Sequence, residues 1–412
     1  MTVILEKRDL PVVSVAFALR CGGINESESE KGISHFIEHM LYKGTPKRNA
    51  KQIAEEIEKN GGQLNGFTDE AITAYWCKMP SNHLNIALDV LSDMVKNPLF
   101  DEKELEKERK VIFEEIKMYH DNPRLYIFQG IQSFLYDKPF GLTLIGDNKT
   151  LSSIDRKKMI ERFKKIYNPN NMILCVVGDA DFEEIVKFAE KNFGNTLNGT
   201  PNEVQESQGG TRPVKQASEK GDVPKFEIKL QNNVKIEKRK GIDQANLILA
   251  YHTPLAKDKK CYASQILNAS TALGMSSRLF AEIREKRNLA YAIKGDSVIS
   301  RDYAYNLIYV GTTKENVEKV KKLILEEFEK IIKDFTEKEL KELKEQLIGN
   351  YRISMEDSQL QMISLLSHEI DGNAEEFYKF EENIKKVKLE DVKELAKNAK
   401  EKYSFFALVP ED

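Results

Sequence analysis

The stretch LFDEKELEKERKVIFEEIKMY, residues 99–119, returns later in the chain as DFTEKELKELKEQLIGNYRIS, residues 334–354. Both read as one amphipathic helix of equal length. The match extends outward from there. LEKRDLPVVSVAFALRCGG (5–23) pairs with IEKRKGIDQANLILAYHTP (236–254), and NMILCVVGD (171–179) with SFFALVPED (404–412). A repeat on this scale implies two homologous units in one chain. Within the first copy, Val12 to Arg20 is rich in β-branched and apolar residues and predicts a strand, as does 170–179. Residues 50–60, 81–96 and 101–120 carry helical periodicity. The expected fold is therefore α+β: two homologous α/β-sandwich units of antiparallel-rich sheet packed with helices. Apolar periodicity fades around 195–223, where Gly, Pro and polar residues predict a linker. The expected division is 1–199, a linker over 200–222, and 223–412.

Composition narrows the function classes. A net charge of -3 over 412 residues favours neither sign, so neither nucleic acid nor an anionic membrane surface is expected as a partner. No apolar run is long enough to span a bilayer, and MTVILEKRDLP lacks the basic and apolar regions of a signal peptide. Cys21, Cys77, Cys175 and Cys261 are scattered without ligand spacing and read as free thiols. A cytoplasmic protein is expected.

The chemistry-bearing motif is HFIEHM, residues 35–40. Ile33, Phe36, Ile37, Met40 and Leu41 make one apolar stripe, while His35, Glu38, His39 and Tyr42 fall on another. His35 and His39 are one helical turn apart, so both imidazoles can reach a single ion. Zinc takes such nitrogens at about 2.0–2.1 Å, and a catalytic zinc commonly keeps three protein ligands. Glu38 is placed to accept a proton. Read alone, the motif is also compatible with two cleft histidines that bind no metal.

The 101–120 helix offers a third ligand. Glu108 and Glu115 lie on the side of its apolar residues Leu105, Ile112, Ile116 and Tyr119. A carboxylate there costs several kcal/mol unless it is paired or metal-bound, by the usual ~several kcal/mol per buried ion. In the second copy Leu343 stands opposite Glu108 and Asn350 opposite Glu115, and that copy has no His-x-x-Glu-His. The first copy alone carries the motif. His83, His120, His252 and His368 have no ligand-spaced neighbours and are expected to be structural.

GISHFIEHMLYKGT, followed by ERKVIFEEIKMYHDNP, resembles the pitrilysin family of inverted-motif zinc metallopeptidases (inverzincins), in its processing-peptidase and presequence-protease branch. NGGQLNGFTDEAITAYW (60–76), IYNPNNMILCVVGD (166–179) and MSSRLFAEIREKRNLAYAI (275–293) match family blocks in the same order. The resemblance implies one zinc per chain held by His35, His39 and Glu115, Glu38 as general base on the metal's water, and Glu108 as a carboxylate supporting the site. It implies an edge strand within Gly66 to Trp76 that takes substrate as an added strand, with Asn65, Gly66, Phe67 and Thr68 in contact with the peptide. Gly66 stands where many members have alanine. Arg284 and Tyr291, expected on one helical face if the helix runs that far, match the pair that orients substrate and stabilises the developing oxyanion.

The family's chambers use four such units. Two per chain imply a homodimer acting on peptides or unfolded segments. The other readings are a processing peptidase trimming defined precursors, and a catalytically silent structural or binding relative. FEIKLQNNV (226–234) precedes the second copy and has no counterpart before the first, which leaves room for a further N-terminal strand.

Overall fold

The computed structural model describes residues 1–194, 211–212, 223–230 and 232–411. Apart from 211–212, the expected linker 200–222 lies outside the described residues. In chain order the elements begin β1 (Thr2–Lys7), β2 (Val12–Leu19), α1 (Ile33–Leu41), α2 (Ala50–Glu58), β3 (Gln63–Thr68), β4 (Thr73–Pro80), α3 (Leu84–Lys96) and α4 (Glu102–Asp121). They continue α5 (Pro123–Leu135), α6 (Asn148–Ser153), α7 (Arg156–Ile166), β5 (Met172–Gly178), α8 (Phe182–Phe193) and β6 (Thr211–Arg212). The second half runs β7 (Val234–Arg239), β8 (Ala245–His252), α9 (Cys261–Ala272), β9 (Ala290–Ile299), β10 (Ala304–Thr312), α10 (Val317–Asp334), α11 (Glu337–Ser354), α12 (Ser358–Asp371), α13 (Phe380–Lys386), α14 (Leu389–Glu401) and β11 (Ser404–Pro410).

The repeat read from the sequence is a repeat of topology. The first sheet has the order β3-β4-β2-β5-β1-β6 and the second β9-β10-β8-β11-β7, read from the corresponding end. β1 pairs parallel with β5, and β7 parallel with β11. The remaining shared ladders are antiparallel in both: β2 with β5 and β4, β8 with β11 and β10, β3 with β4, β9 with β10. Each strand of the second sheet has its counterpart in the first. Before β7 begins, Ile228 forms an isolated bridge with Tyr136, flanked by backbone bonds from Asp137 N to Glu227 O and from Lys229 N to Leu135 O, each 2.9 Å.

Two compact units result: Met1–Ile116 with Leu142–Lys225 and Ser354–Phe377, and Lys117–Gly141 with Phe226–Ile353 and Tyr378–Asp412. Neither is a continuous half of the chain. α5 packs on β8 and β11, while α12 packs on β2 and β5. Arg20 pairs with Glu369 at 2.6 Å, and Ser14 and Ser358 share a buried hydrogen bond of 2.9 Å, fastening α12 to the first sheet. Each unit has its own core. β2 and β5 are buried along nearly their whole length because helices cover them. No helix among the described residues is long and apolar enough to cross a membrane. All four cysteines are buried and free, and burial raises the Cys21 thiol to about 11.

Candidate metal centre

The site is built on α1 in the first unit. Ile33, Phe36, Ile37, Met40 and Leu41 are all buried, so the stripe read from the sequence locks one face of the helix into the core. The helix entry is fixed by two devices. Gly32 sits at φ +92, where a side chain would collide with Ile145. The buried Glu26 carboxylate accepts from the backbone N–H of Gly32 (3.0 Å) and Ser34 (2.7 Å), satisfying first-turn donors that have no partner within the helix. Lys31, itself buried, donates to Gly23 O at 2.8 Å and lies 3.8 Å from Glu70. Sequence reading missed Glu26, because it is neither at the cap position nor in a capping box.

The opposite face of α1 meets α4. Asp101 accepts from Lys103 N (2.9 Å) and Glu104 N (3.1 Å) at the start of that helix, which sets its phase. Glu115 Oε2 then lies 3.7 Å from His35 Nε2 and 3.6 Å from His39 Nε2. One ligand atom from each of these three residues falls within 4.8 Å of the others. Two ligands about 2.0–2.1 Å from a tetrahedral ion stand roughly 3.3–3.5 Å apart, so the two distances to Glu115 are close to those a zinc site needs. The separations are too long for hydrogen bonds among the three.

Glu108, two turns before Glu115 on α4, is buried and spends both oxygens. Oε2 is 3.1 Å from His39 Nδ1, and Oε1 is 2.7 Å from Lys43 Nζ. Accepting from Nδ1 leaves Nε2 as the lone-pair nitrogen facing Glu115, the usual arrangement of a carboxylate behind a metal-ligating histidine. Lys43 was not read from the sequence. Its signal is its place four residues after His39, next to the carboxylate that would otherwise be a buried lone charge. His35 Nδ1 is buried with no hydrogen-bond partner among the described residues. Burial, with His39 alongside, pushes His35 down to about 3 in the metal-free protein, which keeps it neutral and able to ligate.

Glu38 projects between the two histidines towards the edge of the first sheet. Thr68 Oγ1 donates to its Oε2 at 2.9 Å. Burial raises the Glu38 carboxyl above its ordinary range, against the Thr68 bond that favours the charged form. The expected substrate segment is a hairpin. Its two strands are joined through the turn in which Asp69 N donates to Ile72 O at 2.8 Å. Only β3, bearing Asn65, Gly66, Phe67 and Thr68, is the sheet edge. From Thr73 onward the segment is β4, paired on both sides. The expected edge running to Trp76 is thus shorter than read, because the chain turns back at 69–72. Asn65 is exposed, and its side-chain oxygen accepts from Gly66 N at 2.8 Å.

Arg284 and Tyr291 belong to the second unit and do not share a helical face. A wide helical turn over Phe280–Glu285 ends at Asn288, which takes φ +52, and β9 begins at Ala290. A left-handed asparagine closes the helix before the next turn can form. Tyr291 is the extra residue of a β-bulge: Ala290 faces Thr312 and Ala292 faces Gly311. Its ring lies across Gly311, where any side chain would overlap it, and its hydroxyl is 3.4 Å from that of Tyr309. It is 47% exposed. Arg284 stacks over Phe280 at 4.8 Å.

Residues 2–148 match the family described as Insulinase (Peptidase family M16), and residues 153–347 the Peptidase M16 inactive domain. The second match starts in the first unit and runs into the second, whose repeat carries no His-x-x-Glu-His. An uncharacterized zinc protease of Rickettsia felis is 32% identical over 390 residues, 94% of this chain and 87% of that protein. The Bacillus subtilis uncharacterized zinc protease YmxG is 31% identical over 352 residues, covering 85% and 81%. Among solved structures, a protease from Helicobacter pylori superposes with a TM-score of 0.86 at 21% identity, over 99% of this chain and 97% of that one, and so shares the fold. By sequence over nearly its whole length, this chain belongs to peptidase family M16.

Proposed function

We propose that the protein is a zinc-dependent endopeptidase that degrades peptides or unfolded segments inside a chamber formed by a homodimer. The observation that carries the reading is the convergence of His35 Nε2, His39 Nε2 and Glu115 Oε2 from two helices, with Glu38 beside them. His35, His39 and Glu115 would hold a zinc ion, which would supply polarisation of the scissile carbonyl and a more acidic attacking water. Glu38 takes the proton from that water and returns it to the leaving amine, a role suited to a carboxylate whose basicity burial has raised. Glu108 holds the His39 tautomer, and Lys43 balances its charge. A peptide added along β3 would run beside Glu38, with backbone hydrogen bonds supplying affinity and Asn65 exposed to the incoming chain. Tyr291 supplies a hydroxyl to the oxyanion, and Arg284 orients substrate.

The intact donor set argues against a silent relative. The decisive test is bound zinc and peptide cleavage for the wild type and Glu38→Gln. We expect about one zinc per chain in both and turnover reduced by roughly 10²–10⁴-fold in the variant, the usual scale of general-base catalysis. Wild-type turnover in Glu38→Gln would remove the mechanism. A wild type that binds no zinc would favour the silent reading.

A further inference from the structure

We infer that Tyr42 is a positioning residue for Glu38: in the working site its hydroxyl donates to Glu38 Oε1, and residue 66 is glycine because that hydroxyl takes the room of a side chain. The inference rests on the proposed role of Glu38 as base.

Tyr42 follows the last turn of α1 in a helical conformation, so it stands one turn after Glu38 on the same face. Its ring tilts against Tyr75, centroids 6.1 Å apart. The Tyr42 hydroxyl is buried and has no hydrogen-bond partner among the described residues. A phenol that only filled space would do better as phenylalanine, since an unpaired buried hydroxyl costs stability. Such a group calls for a physical reason, and a partner met only in the working site is one. Tyr75 is not that partner, because its hydroxyl is already committed to Tyr167 at 2.7 Å.

Glu38 is the group within reach. The described residues place a donor on its Oε2, Thr68 Oγ1, and none on Oε1. A Cβ built on Gly66 would overlap the Tyr42 hydroxyl and would lie 3.3 Å from Glu38 Oε1. The two oxygens therefore border one small space, and that space exists because β3 carries glycine there. The Tyr42 hydroxyl and Glu38 Oε1 are not bonded in the resting geometry. Rotation of either side chain would close the gap, giving Glu38 one donor on each oxygen and aiming the remaining lone pairs at the water. The proton count is unchanged, because tyrosine donates a hydrogen bond and transfers nothing.

The test uses the full-length chain with zinc, a fluorogenic peptide, and the variants Tyr42→Phe, Gly66→Ala and their combination. For Tyr42→Phe we expect kcat to fall about tenfold, the lower range for an assisting hydrogen bond to a catalytic base, with KM and zinc affinity unchanged within twofold. Stability of the metal-free protein in denaturant should be unchanged or higher, since no resting hydrogen bond is lost. Gly66→Ala should lower kcat by a similar factor, because its methyl displaces the same hydroxyl. The double variant should lose no more than either alone. Wild-type kcat in Tyr42→Phe overturns the inference. So does a loss of kcat accompanied by reduced zinc affinity or stability, which marks a structural role, and so does additivity of the two substitutions. Failure of the underlying reading looks different: Glu38→Gln would remain active whatever residue stands at position 42.

Discussion

Glu108 is the residue on which the site's electrostatics turn. It is buried, and its two oxygens are divided between His39 and Lys43. Converting it to glutamine keeps the shape but removes the charge that stabilises the His39 tautomer. Glu108→Gln should weaken zinc binding by about 10–100-fold, measured by competition with a chelating dye, while the fold persists. A retained affinity would reduce Glu108 to packing. His35 gives a pH prediction with the opposite origin. Its folded pKa of about 3 lies below the ordinary histidine value, so the unfolded chain binds the proton first as pH falls. Its contribution to metal-free stability is therefore complete above about pH 6.5 and is lost progressively towards pH 3. Denaturant unfolding in the presence of chelator should show that loss, and His35→Gln should flatten this part of the curve. The phase of 33–41, which sets His35, Glu38 and His39 apart from the buried stripe, was legible in the sequence, as were two carboxylates on the apolar side of 101–120 that asked for partners. Lys43, Glu26 and the Thr68 bond to Glu38 were not legible, because each joins residues whose proximity exists only after folding.

At the scale of elements, the β9 bulge decides where Tyr291 points. A regular strand would pair Tyr291, whereas the bulge leaves it extra and lays its ring over Gly311. Adding a methyl at 311 leaves no room for the ring. Gly311→Ala should therefore lower peptide turnover to about the level of Tyr291→Phe without changing zinc content, and the pair should not be additive. Full activity in Gly311→Ala would show that the bulge does not aim Tyr291 for catalysis. Helical spacing puts Arg284 and Tyr291 on one face only if the helix runs that far. Asn288 in the left-handed conformation ends the helix between them, a cap that periodicity alone does not reveal. Similarly, the strand expected from Gly66 to Trp76 is two strands, because the turn at 69–72 depends on pairing rather than on a Pro-Gly signal.

For the whole molecule, the central question is whether one chain completes the active site of another. If Arg284 and Tyr291 act in trans within a homodimer, two inactive chains can rescue each other. Mixing Glu38→Gln with the Tyr291→Phe, Arg284→Ala chain should restore activity to at most roughly a quarter of wild type, since half the dimers are mixed and one of their two sites is intact. No recovery after verified subunit exchange, or full activity at monomer mass, would exclude this arrangement. Chelator should abolish cleavage, and zinc alone should restore it. The two-unit repeat, the α+β character and the single copy that carries His35, Glu38, His39 and Glu115 follow from the sequence itself, because they rest on local periodicity and on comparison of one half with the other. The tertiary structure alone decided the rest. It exchanged α5 and α12 between the units, buried Glu108 between His39 and Lys43, and set an unpaired Tyr42 hydroxyl against a glycine on the edge strand. Those relations depend on which surfaces meet, and helix and strand periods specify which face is apolar but not which neighbour covers it.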